Sequence, residues 1–134
     1  MNIKLIEKEK TEVKDFGNGL TLSILLDKME GAKNLDLGTV TIPPKSATAM
    51  HKRDFEEVIY MLKGEGKLKL EDGTEYTLKK GDCVLIPEGI MHCHANDTDE
   101  ELEQLYIFAP QSSDDIQSSL RNLPKKLERN DNNE

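Results

Sequence analysis

His51 and Arg53 are separated by one residue, Glu57 follows four positions after Arg53, and a second histidine pair, His92 and His94, lies further along. On an extended chain, residues two apart project to the same face. His51 and Arg53 therefore share one side of a strand, and His92 and His94 share a side of another. Glu57 stands directly before Val58-Ile59-Tyr60, a β-branched and aromatic run that should be buried. Its neighbour Glu56 has the opposite orientation and should face solvent. Polar groups that converge on an apolar interior need a partner. Three fit these residue types: a metal ion, an anionic ligand, or a private salt bridge between Arg53 and Glu57.

The elements that must position these groups read as short strands broken by turns. Candidates are residues 3–7, 20–26, 35–42, 57–64, 66–72, 75–81, 83–87, 91–96 and 102–110. Gly66-Lys67-Leu68-Lys69-Leu70 alternates apolar and charged positions, as a strand with one wet face should. Asp72-Gly73 is a hairpin signal. Many strands with almost no helix between them indicate a sandwich or barrel, so the fold class is all-β. The C-terminal stretch differs. Ser112 or Ser113 can cap a short helix with Asp114 and Asp115 at its positive end, and Pro124 should stop it. The charged run KKLERNDNNE that follows has too little apolar surface to stay ordered.

A chain of 134 residues is one domain with a sizeable core. Its formal net charge of −8 excludes nucleic acid as a partner, because phosphate neutralisation needs a basic face, and it argues against an anionic membrane surface. No apolar run reaches the ~18–20 residues of a spanning helix. Cys83 and Cys93 are the only cysteines and make no CxxC pair. Together with an N-terminus unlike a signal peptide, they fit a reducing cytoplasm, the expected localisation.

Two spaced patterns contain the polar residues. The first is His51-x-Arg53, three residues, Glu57, six residues, Gly64. The second is Gly81, five residues, Pro87-x-Gly89, two residues, His92, three residues, Asn96. Together they resemble the two motifs of the cupin superfamily, over about residues 38 to 110. The second motif matches at every defined position. The first departs twice: Lys45 stands where the family has its opening glycine, and Arg53 where it has a second histidine.

The resemblance implies a double-stranded β-helix, the jelly-roll barrel of the small stand-alone cupins, with a short C-terminal helix. It further implies one divalent metal ion, Fe, Mn, Ni, Cu or Zn, held inside the barrel by His51, Glu57 and His92. The family's fourth ligand has no counterpart, because Arg53 cannot donate a lone pair to a cation. Three ligands still suffice for a non-haem iron or catalytic zinc centre. Beside a cation, Arg53 fits best as the clamp of a small anionic substrate. The expected function is then a metal-dependent enzyme, a dioxygenase or a lyase/isomerase. The alternative is a metal-free binder of an organic acid or sugar, with Arg53 paired to Glu57. Residues 1–37 precede the motifs, and in related small cupins such a segment meets a second subunit, so a homodimer is expected, with residues 3–10 as an edge strand. Residues 38–110 form the barrel, and residues 111–134 the helix and tail.

Other residues have quieter readings. His94 shares the face of His92 and joins Arg53 among the catalytic candidates, as proton carrier, substrate contact or replacement ligand. The simplest reading is a histidine tied to a backbone carbonyl. Cys83 and Cys93 read as small packing residues, with Cys93 facing away from the pocket. Met50 and Met61 should fill core gaps. Gly64, Gly66, Gly81 and Gly89 suit turns with positive φ. Asn96 should fix a turn by bonding backbone groups.

Overall fold

Strand periodicity settles most of the architecture. In the computed structural model, which describes residues 2–126, the chain forms strands β1 (Val13–Gly17), β2 (Leu20–Leu26), β3 (Asp36–Ile42), β4 (Ser46–Ala47), β5 (Glu56–Lys63), β6 (Gly66–Leu70), β7 (Glu75–Leu78), β8 (Cys83–Ile86), β9 (His92–Asn96) and β10 (Leu102–Ala109). Helix α1 (Asp114–Arg121) follows. A six-stranded sheet in the order β1-β2-β3-β10-β5-β8 faces a four-stranded sheet in the order β4-β9-β6-β7. All named pairings are antiparallel. This is the expected double-stranded β-helix. Among the described residues no helix is long and apolar enough to cross a membrane.

Alternation along β10 shows how the core is built. Leu102, Gln104, Tyr106 and Phe108 point inward and are buried, while the residues between them are half-exposed. Leu22, Ile42, Ile59, Met61 and Leu102 pack between the sheets with almost no exposure. The Asp72-Gly73 hairpin forms as expected, with Gly73 at φ +93 and the Thr74 amide donating to Asp72 Oδ1 at 2.9 Å. Ser113, rather than Ser112, caps α1 by accepting from the Ile116 amide. Arg121, in the last turn of α1, donates from Nε and Nη2 to the Asp27 carboxylate at 2.8 and 2.7 Å and so ties the helix to the barrel.

Several expectations are corrected. Residues 3–7 form no strand: Lys8–Lys10 is a single 3-10 turn, and β1 takes the edge place beside β2 instead. Ile3 and Leu5 pack on nothing and are 100% and 85% exposed. The 58–60 run is not wholly buried, because the outer face of the sheet is open there; Ile59 is inside and Tyr60 is exposed. Cys83 lies exposed on edge strand β8, and Met50 is exposed, whereas Met61 fills the core. Gly66 does not adopt positive φ. It is there for space, since a Cβ would stand 2.8 Å from the Met61 methyl group. Lys125, at the start of the charged run, bridges to Lys14, and the Lys126 amide donates to Val13 O. The expectation of disorder for the remainder, 127–134, falls outside the described residues.

Lys45 shows the departure from the motif in its backbone. It adopts φ +56, the left-handed region the family's glycine would occupy without strain. Its Nζ reaches the carbonyl of Asp97 and the carboxylate of Asp99, but such exposed contacts stabilise little. Lys45→Gly should therefore stabilise the fold by about 1 kcal/mol in urea denaturation.

Asp27 gives a pH dependence. Burial pushes its carboxyl up, but the hydrogen bonds from Arg121 and the Met29 amide, with the Arg121 charge, outweigh that and hold it below its ordinary 3.8. A depressed carboxylate contributes stability above its unfolded value and loses it as pH falls through the folded one. The stability gap between wild type and Asp27→Asn should be fully open at neutral pH and close progressively below about pH 4, read from denaturation midpoints.

Candidate metal centre

Strand β9 delivers His92 and His94 to the barrel interior, and β5 delivers Glu57 from the facing sheet. His51 arrives from a loop, held by a reciprocal backbone bridge in which each amide of the His51–His92 pair donates to the other's carbonyl at 2.8 Å. The strand expected at 51–53 is reduced to that one bridge, yet His51 and Arg53 still line the same cavity. One ligand atom each from His51, Glu57, His92 and His94 lies within 4.8 Å of all the others. The imidazole centroids are 4.4 Å apart for His51–His92, 4.9 Å for His92–His94 and 5.6 Å for His51–His94. Glu57 is buried, and Glu56 is exposed, as expected.

Hydrogen bonding orients the rings. Nδ1 of His51 stands 2.7 Å from Ala49 O, and Nδ1 of His92 is 2.7 Å from Ile90 O. A ring that donates Nδ1–H to a carbonyl presents Nε2 as a lone pair, the arrangement that commonly fixes a metal-binding histidine. His94 behaves differently: its Nε2 lies 3.3 Å from Glu57 Oε2, and no described carbonyl accepts from its ring. The simplest reading of His94 is thereby reversed, since the carbonyl-tied histidines are the other two.

Electrostatics fit a cation. Burial depresses His51 to about 4 and so keeps it neutral. Burial raises Glu57, but the adjacent His92 and His94 imidazoles bring it net well below the usual carboxylate range. Burial also lowers His92, and there the adjacent Glu57 carboxylate wins and raises it. Despite this proximity, His92 Nε2 and Glu57 Oε1, 3.4 Å apart, are both fully buried without a hydrogen-bond partner. Buried polar atoms are rarely left so. A metal bound by nitrogen and oxygen donors would satisfy both, so the residues fit the ion that the motifs imply.

Arg53 does not pair with Glu57; among the described residues no ion pair engages its guanidinium. Nε is buried without a partner, and Cζ lies 5.8 Å from the centroid of Phe108. Arg53 lines both the inner cavity and an outer recess formed with Lys52, Asp54, Glu88, Gly89 and Ile116, so it stands at the mouth. The inner cavity takes in about 440 Å³ of space including its open mouth. Cys93 lies on the other side of β9, beside Lys69 and Asp97. Asn96 is fully buried and bonds backbone groups as expected.

Motif reading did not find Gln104, Phe16 and Leu120, which also line the cavity. Only Gln104 carried a signal, as a polar residue at an inward position of the alternating LEQLYIFA segment. Phe16 and Leu120 come from the β1–β2 hairpin and α1, whose docking over the cavity has no local trace.

Comparison with known proteins agrees with this geometry. An uncharacterized protein of Methanocaldococcus jannaschii is 31% identical over 97 residues, covering 69% of this chain and 76% of that one. A gentisate 1,2-dioxygenase from a Ralstonia species is 29% identical over 83 residues, 62% of this chain but only 23% of the dioxygenase; the chain thus spans under a quarter of that relative's length. Among solved structures, the polyketide cyclase RemF of Streptomyces resistomycificus superposes with a TM-score of 0.75 at 21% identity, over 83% of this chain and 82% of that one. The cupin domain family matches residues 38–108, and with both motifs seated in the double-stranded β-helix they predict, this chain belongs to the cupin family.

Proposed function

We propose that the protein is a metal-dependent enzyme, of the dioxygenase or the lyase/isomerase type, acting on a small organic anion oriented by Arg53. One observation carries this: a buried cluster of three imidazoles and a carboxylate opens into the same cavity as an unpaired guanidinium. His51, Glu57, His92 and His94 would hold the divalent ion, with His94 in place of the histidine that Arg53 replaces. A bound ion would supply Lewis acidity and a coordination position for a substrate oxygen. The chain's own residues do the rest. Arg53, which has no lone pair to give a cation, binds the substrate's carboxylate by charge-assisted hydrogen bonds and so fixes which end of the molecule faces the cluster. Phe108 and the apolar walls exclude water around that ion pair and strengthen it. The carbonyl ties of His51 and His92 hold their rings in place through turnover.

Similarity to a gentisate dioxygenase supports the oxygenase branch. The alternative, a metal-free binder built on an Arg53–Glu57 pair, has less support, because Glu57 contacts His92 and His94 instead. A cytoplasmic homodimer completes the reading, with a second subunit covering Ile3 and Leu5.

The test follows a panel of small organic acids by NMR with metal-loaded protein, with and without dioxygen. Conversion of an acid by wild type, lost in His51→Ala/His92→Ala and without metal, is the expected result. Equal conversion by the double variant or by metal-free protein would overturn it.

A further inference from the structure

The cavity's lining also describes what it would hold, and this deepens the metal-enzyme reading on which it rests. Apart from His51, Glu57 and His94, the walls are Phe16, Leu22, Val40, Ile59, Phe108 and Leu120, and the remaining polar groups are Arg53, Thr48, Gln104 and the Tyr106 hydroxyl. Thr48 is occupied, its Oγ1 accepting from the His94 amide at 2.9 Å. Gln104 is not. It is 4% exposed, and no described residue hydrogen-bonds its side-chain amide. Its amide belongs to the cavity lining and offers both a donor and an acceptor to whatever the cavity holds. Apolar walls with only Arg53, Gln104 and the Tyr106 hydroxyl as free polar groups suit neither a sugar nor a phosphosugar, most of whose hydroxyls would lie against hydrocarbon unpaired.

Arg53 and Gln104 stand apart along β10. Arg53 lies over Phe108, and Gln104 is four residues earlier on the same strand and the same face, about 13 Å away along β10 at the usual rise per residue.

We propose that the substrate is a small acid with a planar or otherwise apolar body and a neutral hydroxyl or carbonyl at the end opposite its carboxylate. Arg53 takes the carboxylate, and Gln104 determines specificity by hydrogen-bonding the neutral group. A site built to pair a hydroxyl discriminates strongly against the analogue that lacks it.

The test uses 4-hydroxybenzoate, benzoate and gluconate as probes, titrated by calorimetry into metal-loaded and metal-free full-length protein, with metal content measured on each sample. Wild type should bind 4-hydroxybenzoate about 10-fold more tightly than benzoate and bind gluconate weakest. Gln104→Met, close in volume, should abolish the preference for the hydroxyl while leaving metal content unchanged; Gln104→Leu is the second variant should the first fold poorly. Arg53→Leu should lose both aromatic acids. Gluconate binding as tightly as 4-hydroxybenzoate, or a preference that survives both Gln104 substitutions, would overturn the assignment even with stoichiometric metal. Conversely, absence of metal with the hydroxyl preference intact would overturn the metal-enzyme reading and leave this one standing.

Discussion

Replacing His94 by alanine should lower divalent-metal affinity by about 100-fold or more, measured by competition with a chelator, while the melting temperature of the metal-free protein moves little. The ring sits in the cluster with its Nε2 toward Glu57, and its removal takes one of four converging donors. Strand pairing is untouched, because the His94 backbone keeps its bonds to β6 and to Thr48. The family motif places its second histidine where Arg53 stands, so the two sites are exchangeable in principle. Arg53→His alone should add little if His94 takes the fourth place as proposed. In the His94→Ala background, Arg53→His should recover part of the lost affinity. A histidine that acted only as a packing residue would show neither the loss nor the rescue.

Asn96→Ala should destabilise the fold by about 3 kcal/mol in chemical denaturation. Asn96 is fully buried. Its Nδ2 donates to Ile42 O at 3.0 Å and Glu100 O at 2.7 Å, and its Oδ1 accepts from the Thr98 amide at 2.9 Å and Thr98 Oγ1 at 2.7 Å. Alanine leaves the buried Ile42 carbonyl and the part-buried Thr98 amide without a partner, and their desolvation cost then counts against folding. Asn96→Asp is the informative companion. It keeps the acceptor but turns a carboxylate toward two carbonyl oxygens, so it should be at least as damaging at neutral pH and partly recover in acid, where protonation restores a donor. Because Asn96 closes the strand that holds His92 and His94, the same variants should also weaken metal binding.

Local signals carried the sequence reading far where alternation or a turn residue was decisive. The inward set Leu102, Tyr106 and Phe108, the Asp72-Gly73 hairpin, and the opposite orientations of Glu56 and Glu57 all follow from period-two geometry. The site was legible for the same reason: His51, Glu57 and His92 sit at motif spacings, and the parity of His94 put it on the right face. What parity could not supply was the direction of each ring, which depends on carbonyls from other turns, Ala49 and Ile90, and on a carboxylate from the facing sheet. Residues 3–7 misled because alternation without a neighbouring strand leaves the backbone hydrogen bonds to water. Met50 and Cys83 misled because side-chain type says little about which loop or edge is left open. Phe16 and Leu120 reach the cavity through tertiary packing alone.

The central claim is that the barrel holds one metal ion on His51, Glu57, His92 and His94. Elemental analysis of the purified, tag-free protein beside a His51→Ala/His92→Ala variant tests it most directly. The account predicts close to one equivalent of a transition metal or zinc per chain, absent from the variant. No metal as purified, and none taken up on reconstitution with Fe, Mn, Ni, Cu or Zn, would contradict it.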